Sequence, residues 1–293
     1  MSVIFDILDF KMQKIQIRTI KEPNLSGSFS ISNLNTLLSE KDMIEKTHRH
    51  DFFFILAIEK GNGEHQIDFE NYSIDNYSVF ILRPSQVHQL LLKKGSKGYL
   101  IAFDSNFYSP NEKLKKEIFL TVSRNNYYKL KTETYKKLIP VLNYIFSEYS
   151  NKKVLFRENI KANLDLFFIE LFRQTKNSDI QTKNNSYSIK LLEKLLELID
   201  IHFYNNKQVT YYAEELNLTI YQLNSITKKT LGKSCSQLIN ERIILEAKRN
   251  LTATSNQVNE ISFHLGYDDT SYFIRFFKNK TGLTPENFRQ SFE

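Results

Sequence analysis

"ISFHLGYDDTSYFIRFFKNKTGLT", Ile261 to Thr284, crowds phenylalanines and tyrosines among Arg275, Lys278 and Lys280. Its composition alone fits a membrane-surface peptide, a core helix with a charged back, or a helix that reads DNA. A weak copy upstream decides between them: "AEELNLTIYQLNSITKKTLGKS", Ala213 to Ser234. In each copy a small residue (Ala213, Ser262) is followed four positions later by one that tolerates left-handed backbone (Asn217, Gly266). An apolar residue follows (Leu218, Tyr267), then a second short helical pattern. A small side chain lets two helices approach closely, and Asn or Gly takes the positive φ of the turn. The pattern predicts two helix-turn-helix units.

Placing the second helix of each copy at 100° per residue separates two arcs. In the later copy Tyr272, Phe273, Phe276 and Phe277 are expected inside, with Ser271, Ile274, Arg275 and Lys278 outside. In the earlier copy Leu223, Ile226 and Thr227 are expected inside, with Tyr221, Asn224, Ser225 and Lys228 outside. One extra residue in the later turn aligns Tyr221 with Ser271, Ser225 with Arg275 and Lys228 with Lys278. Arg can bridge guanine, Asn can bridge adenine, and Ile can meet a thymine methyl. Lys228, Lys229, Lys233, Lys278 and Lys280 suit phosphate contacts. A single solvated helix face would look the same; two matched faces favour DNA. Between the copies, "SCSQLINERIILEAKRNL" (Ser234–Leu251) carries Leu238, Ile239, Arg242, Ile243, Glu246, Ala247 and Asn250 at helical spacing. One long helix is expected there, holding the two units apart.

The chain of 293 residues suggests about two domains. Its net charge of +7 is spread away from the repeat: residues 184–293 hold 13 Lys+Arg against 12 Asp+Glu. DNA binding therefore cannot be argued from bulk charge, only from charge placed on helix faces. The single cysteine, Cys235, excludes an intrachain disulfide and fits a reducing compartment. The first twenty residues carry Asp6 and Asp9 within their apolar run, which argues against a signal segment, and the expected location is the cytoplasm. Residues up to about 104 read as short strands broken by turn clusters such as Gly61-Asn62-Gly63 and Asp75-Asn76, with Gly98–Asp104 another strand. Ile67, Phe69 and Ile74 are spaced for one sheet face if a turn lies around Asn71. Past Tyr108-Ser109-Pro110 two amphipathic helices are expected, the second lined by Ile160, Leu164, Phe167, Phe168 and Leu171. Lys176–Ser186 is polar and aperiodic, and reads as a linker. From Tyr187, serine caps lead into a stripe of Ile189, Leu192, Leu195, Leu196, Ile199 and Phe203.

"VTYYAEELNLT", "RIILEAKRNL" and "VNEISFHLGYDDTSYFIRFFKNKTGLTPENFR" resemble the AraC/XylS family of transcription regulators, over about Tyr187 to Phe292. The resemblance implies a seven-helix domain with two helix-turn-helix units. It also implies base or phosphate contacts from Tyr221, Asn224 and Ser225, and from Thr270, Ser271 and Arg275. The first recognition helix departs from the pattern in lacking arginine. "HRHDFFFILAIEKGNGEHQIDF" together with "VFILRPSQVHQ" resembles the cupin-like sensor domain attached to many such regulators. Enzymatic cupins bind metal through a His-x-His-x₃-Glu run and a distant His. Here His48, His50 and His88 supply the histidines, but Phe54 stands in the place of the Glu. Three neutral imidazoles can still bind Zn²⁺ or Fe²⁺, but with the Glu missing no metal or cofactor is expected, and His48, His50, Phe54, Arg83 and His88 (with Arg49 nearby) are effector-pocket candidates. A barrel filled by its own aromatic side chains is the bland alternative.

The fold expected is α+β and multidomain. Residues 1–110 form a cupin-like β-barrel, 111–175 a dimerising helical hairpin, 176–186 a linker, and 187–293 the all-α DNA-binding domain. The expected function is effector-modulated transcription regulation, with no enzyme activity. The expected partners are double-stranded promoter DNA, a small-molecule effector and a second copy of the chain, with RNA polymerase if the regulator activates; a membrane is not among them. A metal-dependent cupin enzyme with an appended DNA-binding domain is the alternative.

Overall fold

The run Phe53–Lys60 (FFILAIEK) has no polar alternation in its first six residues, and the fold explains why. In the computed structural model, which describes residues 17–18, 29–175 and 186–291, this strand is covered on both faces. The expectations for the first sixteen residues and for the linker lie outside the described residues, except that Ser186 opens a helix. The described residues fall into two compact units that divide between Glu197 and Leu198.

The first unit holds two five-stranded sheets. One has the order β1 (Ile17–Arg18), β3 (Met43–His50), β8 (Val87–Leu92), β5 (Gly63–Ile67), β6 (Glu70–Ile74). The other runs β10 (Tyr127–Lys129), β7 (Ser78–Leu82), β4 (Phe53–Lys60), β9 (Lys97–Phe103), β2 (Phe29–Asn33). Phe54, Leu56 and Ile58 of β4 join Ile67, Ile74, Phe80, Leu82, Leu90 and Leu92 in an apolar core to which both sheets contribute. The alternate residues of β4, Ile55 and Ala57, face a second core with Val79, Ile81, Ile101 and Phe103. That second core is completed by three helices: α2 (Lys113–Ser123), α3 (Thr132–Asn151) and α4 (Phe156–Phe172). A strand buried on both sides reads as a continuous apolar run. A single turn, α1 (Leu34–Leu37), seals one end, capped by Asn33.

Three details differ from the sequence reading. The β5–β6 turn is at Asp68-Phe69, both with positive φ (47° and 74°), so Phe69 sits in the turn and not on the sheet face with Ile67 and Ile74. Such paired positive φ values are what a tight two-residue hairpin demands. Helix α2 and strand β10 add to the two helices expected after residue 110, and β10 pairs with β7. The helices α3 and α4 share one core with the sheet, so they are part of its packing as well as a pair with each other. The predicted stripe of α4 is entirely buried.

The second unit continues α5 (Ser186–His202), whose Leu192, Leu195 and Ile199 are buried and whose Leu196 is half-buried. It then runs α6 (Val209–Glu215), α7 (Ile220–Leu231), α8 (Cys235–Ala253), α9 (Val258–His264), α10 (Thr270–Thr281) and α11 (Pro285–Gln290). The expected long connecting helix is α8, 19 residues, or about 28 Å at 1.5 Å per residue. It is buried along Leu238, Ile239, Ile243, Ala247 and Leu251 and packs against α7, α9 and α11. A charged network lies along it: Arg242 bonds Asp200 (2.7 Å) and Glu246 (2.9 Å), and Arg249 reaches the same Glu246 oxygen (3.3 Å). Burial pushes the Glu246 carboxyl up, but Arg242 and Arg249 outweigh it and hold its pKa below the ordinary range.

Candidate nucleic-acid interface and histidine cluster

Both helix-turn-helix turns close the same way. Leu218 N–H donates to Ala213 O and Tyr267 N–H to Ser262 O, at 2.8 and 3.0 Å. Inside each, Asn217 N–H reaches Glu214 O and Gly266 N–H reaches Phe263 O, both at 2.9 Å. The pair of bonds is a Schellman closure, which needs one left-handed residue. Asn217 (φ 53°) and Gly266 (φ 73°) supply it. The later turn is braced further by Lys207, whose ammonium donates to Tyr204 O and Gly266 O and lies over the Tyr267 ring.

The second helices α7 and α10 match at an offset of fifty residues. Thr219 caps α7 through the Gln222 N–H, and Asp269 caps α10 through the Ser271 N–H. Gly232 and Gly282 end them in left-handed conformation (φ 71° and 82°). Burial follows the same register: Leu223 and Phe273 are buried, as are Thr227 and Phe277. Asn224 and Ile274, and Ile226 and Phe276, are half-buried. Tyr221 and Ser271, Gln222 and Tyr272, Ser225 and Arg275, and Lys228 and Lys278 are exposed.

The core-facing arc is therefore narrower than the sequence reading drew it. Tyr272, expected inside, is 54% exposed and leans on Tyr267. It joins the outward row and was missed, because an aromatic beside three phenylalanines reads as core. Ile274 is half-buried, not fully outward. Asn224 accepts a hydrogen bond from Cys235 N–H (3.0 Å), so its carbonyl oxygen is committed to the start of α8. A bidentate grip on adenine would have to break that bond. Tyr221 is 83% exposed. Thr270, in the first turn of α10, is half-buried, while Ser225, Lys228, Lys229, Ser271, Arg275 and Lys278 all stand in solvent. Lys233 differs, being paired with Glu241 at 2.8 Å.

In the first unit, His48 and His50 lie two apart on β3, and the sheet pairs His48 with His88 of β8 across the ladder. Period two sends both imidazoles to one face and Arg49 to the other. All three histidines are buried, and Phe54 stacks its ring on His50 at 5.4 Å and lies as close to His88. Arg83 is half-buried at the β7–β8 turn, where its backbone N–H donates to Gln86. A fourth histidine, His65 of β5, is fully buried and meets His88 Nδ1 at 2.9 Å. The sequence reading passed over it, although Gly63, His65 and Ile67 alternate onto the buried face of β5. Burial pushes the His65 pKa down to about 3, so its imidazole stays neutral.

The Nε2 atoms of three rings converge. His48 Nε2 is 3.2 Å from His50 Nε2, and His50 Nε2 is 2.7 Å from His88 Nε2. His48 Nδ1 lies 2.7 Å from Lys46 O. A carbonyl can only accept, so the neutral His48 carries its proton on Nδ1 and a lone pair on Nε2.

Residues 41–108 match the AraC-like ligand binding domain family, and residues 212–291 match a helix-turn-helix domain family. The chain is 20% identical over 276 residues to the HTH-type transcriptional activator RhaS of Escherichia coli O157:H7, covering 90% of this chain and 94% of RhaS. Among solved structures, the C-terminal domain of AraT, a response regulator from Geobacillus stearothermophilus, is 27% identical. It covers 34% of this chain and 84% of its own, with TM-score 0.33. Unsaturated fatty acid-bound ToxT from Vibrio cholerae is 17% identical, covering 92% of this chain and 96% of its own, with TM-score 0.41. Among the described residues, no helix is long and apolar enough to cross a membrane.

Proposed function

We propose, for a chain that belongs to the AraC type of DNA-binding transcription regulators, that α7 and α10 read neighbouring major-groove segments while the barrel half governs when they do so. The observation that carries this reading is the matched pair of recognition helices, alike in caps, turn closure and burial along the same register. From α7 the outward groups are Tyr221, Ser225, Lys228 and Lys229; from α10 they are Thr270, Ser271, Tyr272, Arg275 and Lys278. Arg275 is the base reader, since its fork matches the guanine edge. The lysines in the last turns grip phosphate. Asn224 acts through α8, holding the start of that helix, and not by contacting a base.

Residues 1–175 form the sensing half and 187–293 the DNA-binding half, with 176–186 between them. An effector bound in the barrel changes DNA affinity by the difference in its own affinity for the two states of the chain. A second copy pairs through the helices α3 and α4, where Tyr144, Leu166, Val154 and Leu155 stand exposed. Such a dimer would be isologous. RNA polymerase is the further partner if the regulator activates, and the chain works in the cytoplasm. Selection of a binding site from random duplex DNA tests the reading. A defined motif with two half-patches about one helical turn apart is expected per chain; recovery of no motif sinks it.

A further inference from the structure

We propose that His48, His50 and His88 form a divalent transition-metal site, bound through their Nε2 atoms, with His65 as the residue that positions His88. The inference rests on the barrel being the ligand-binding half, and it names the class of ligand: a borderline cation such as Zn²⁺ that accepts three imidazoles.

The first support is the distribution of protons. His48 is fixed with its Nε2 lone pair inward by the Lys46 carbonyl. If His88 Nε2–H donated to His50, the lone pairs of a neutral His48 and of His50 would face each other across 3.2 Å. The consistent arrangement without a cation places one N–H, on His50 Nε2, between two acceptors. His88 then carries its proton on Nδ1 and donates it to His65 Nε2. Two of the three imidazoles therefore have their outer nitrogen tied and their inner lone pair aimed at one point. Metal-bound histidines are held in this manner by partners behind them. A cation replaces the single shared proton with three bonds; His50 moves its proton to Nδ1, and no change of net protonation is required.

Size agrees as well. Tetrahedral Zn–N bonds of about 2.05 Å place ligand nitrogens about 3.3 Å apart. The His48–His50 separation, 3.2 Å, is close to that spacing, the His50–His88 separation, 2.7 Å, is shorter and would have to open by about 0.6 Å, and all three donor atoms lie within 4.8 Å of one another. Phe54 packs on the rings at the position four residues past His50, and so contributes no fourth ligand. The fourth position is left for water or for a donor atom on a small molecule.

The test uses the full chain, stripped with a chelator and titrated with Zn²⁺ against a chromophoric competitor, with Co²⁺ as a spectroscopic substitute. One equivalent per chain is expected, with intense Co²⁺ d–d bands of four-coordinate geometry. His88→Ala and His48→Ala are expected to abolish uptake. His65→Phe, which suits the aromatic surroundings, keeps the stoichiometry but weakens affinity about 10- to 100-fold, and His65→Gln recovers part of it because an amide oxygen can accept from His88. Folding of each variant is read separately by its melting curve. DNA binding by the metal-free chain is measured in parallel. Folded wild-type protein that takes up no equivalent of either metal, yet binds its DNA site, overturns the metal site and leaves the regulator reading standing. Undiminished uptake in folded His48→Ala and His88→Ala overturns it too.

Discussion

Replacing Arg275 with alanine separates reading from folding. The side chain is exposed on α10, two positions from buried Phe273 and Phe277, and it makes no ion pair or hydrogen bond within the described residues. Removing it therefore takes nothing from the core, and surface changes of this kind move stability by no more than about 0.5 kcal/mol. On a specific duplex the lost bidentate contact costs ~1–3 kcal/mol, a drop in affinity of about 5- to 160-fold. On a scrambled duplex the loss is limited to one charge. Fluorescence anisotropy on both duplexes at one fixed salt concentration measures the difference. Lys278→Ala is the control: both affinities should fall together, and the slope of log K against log salt should shrink by about 0.9. Equal losses on specific and scrambled DNA for Arg275→Ala would refute its reading role. A lowered melting temperature would refute the premise that the residue stands outside the fold.

The two left-handed glycines of the second motif should respond differently to alanine. At Gly282 a Cβ meets nothing within 4 Å, so Gly282→Ala costs only the backbone strain, about 1 kcal/mol. At Gly266 the same atom falls 2.0 Å from Tyr204 O and 2.7 Å from the Lys207 ammonium, so Gly266→Ala must move backbone and costs clearly more in urea unfolding. Similar losses at both positions would contradict the close approach. Asn217→Gly should be near neutral, and Asn217→Val should cost about 1–3 kcal/mol, because a β-branched residue resists φ of this sign. Glu246→Gln leaves the buried guanidinium of Arg249 facing a neutral group, while the partly buried Arg242 keeps Asp200, with an expected loss of roughly 3 kcal/mol at neutral pH. Because the folded Glu246 pKa lies below its ordinary 4.5, that advantage of the wild type is full above 4.5 and is lost as pH falls through the folded value. A difference between the two proteins that does not shrink as pH falls below 4.5 would contradict the assignment.

The helical half was legible because 3.6-residue periodicity and a repeated left-handed turn are local signals. Ala213 with Asn217, and Ser262 with Gly266, carry them within a few residues. What blurred was the edge of the buried arc. Tyr272 lies beside Phe276 on the wheel but is 54% exposed, and only the fold decides which flank is covered. The bond of Asn224 to Cys235 joins residues eleven apart, beyond what a helical wheel displays. In the barrel half the strands were readable, yet their turns were less so. Asp68-Phe69 carries no glycine, so nothing in the sequence marked it as the hairpin tip. Three-residue β10 is too short for any periodicity, and it exists because β7 offers an edge. His48, His50 and His88 were singled out by the resemblance to the cupin motif. His65 was not, because its partnership with His88 is made by the β5–β8 ladder and not by neighbours in the chain.

Hydroxyl-radical footprinting of the selected DNA site tests the central claim most directly. Two recognition helices held apart by α8 should protect two patches per chain, their centres about 10 base pairs apart. Loss of side chains on α7 (Tyr221→Ala with Lys228→Ala) should erase one patch, and Arg275→Ala with Lys278→Ala should erase the other. A single protected patch, or both patches fading together whichever helix is altered, would contradict the account.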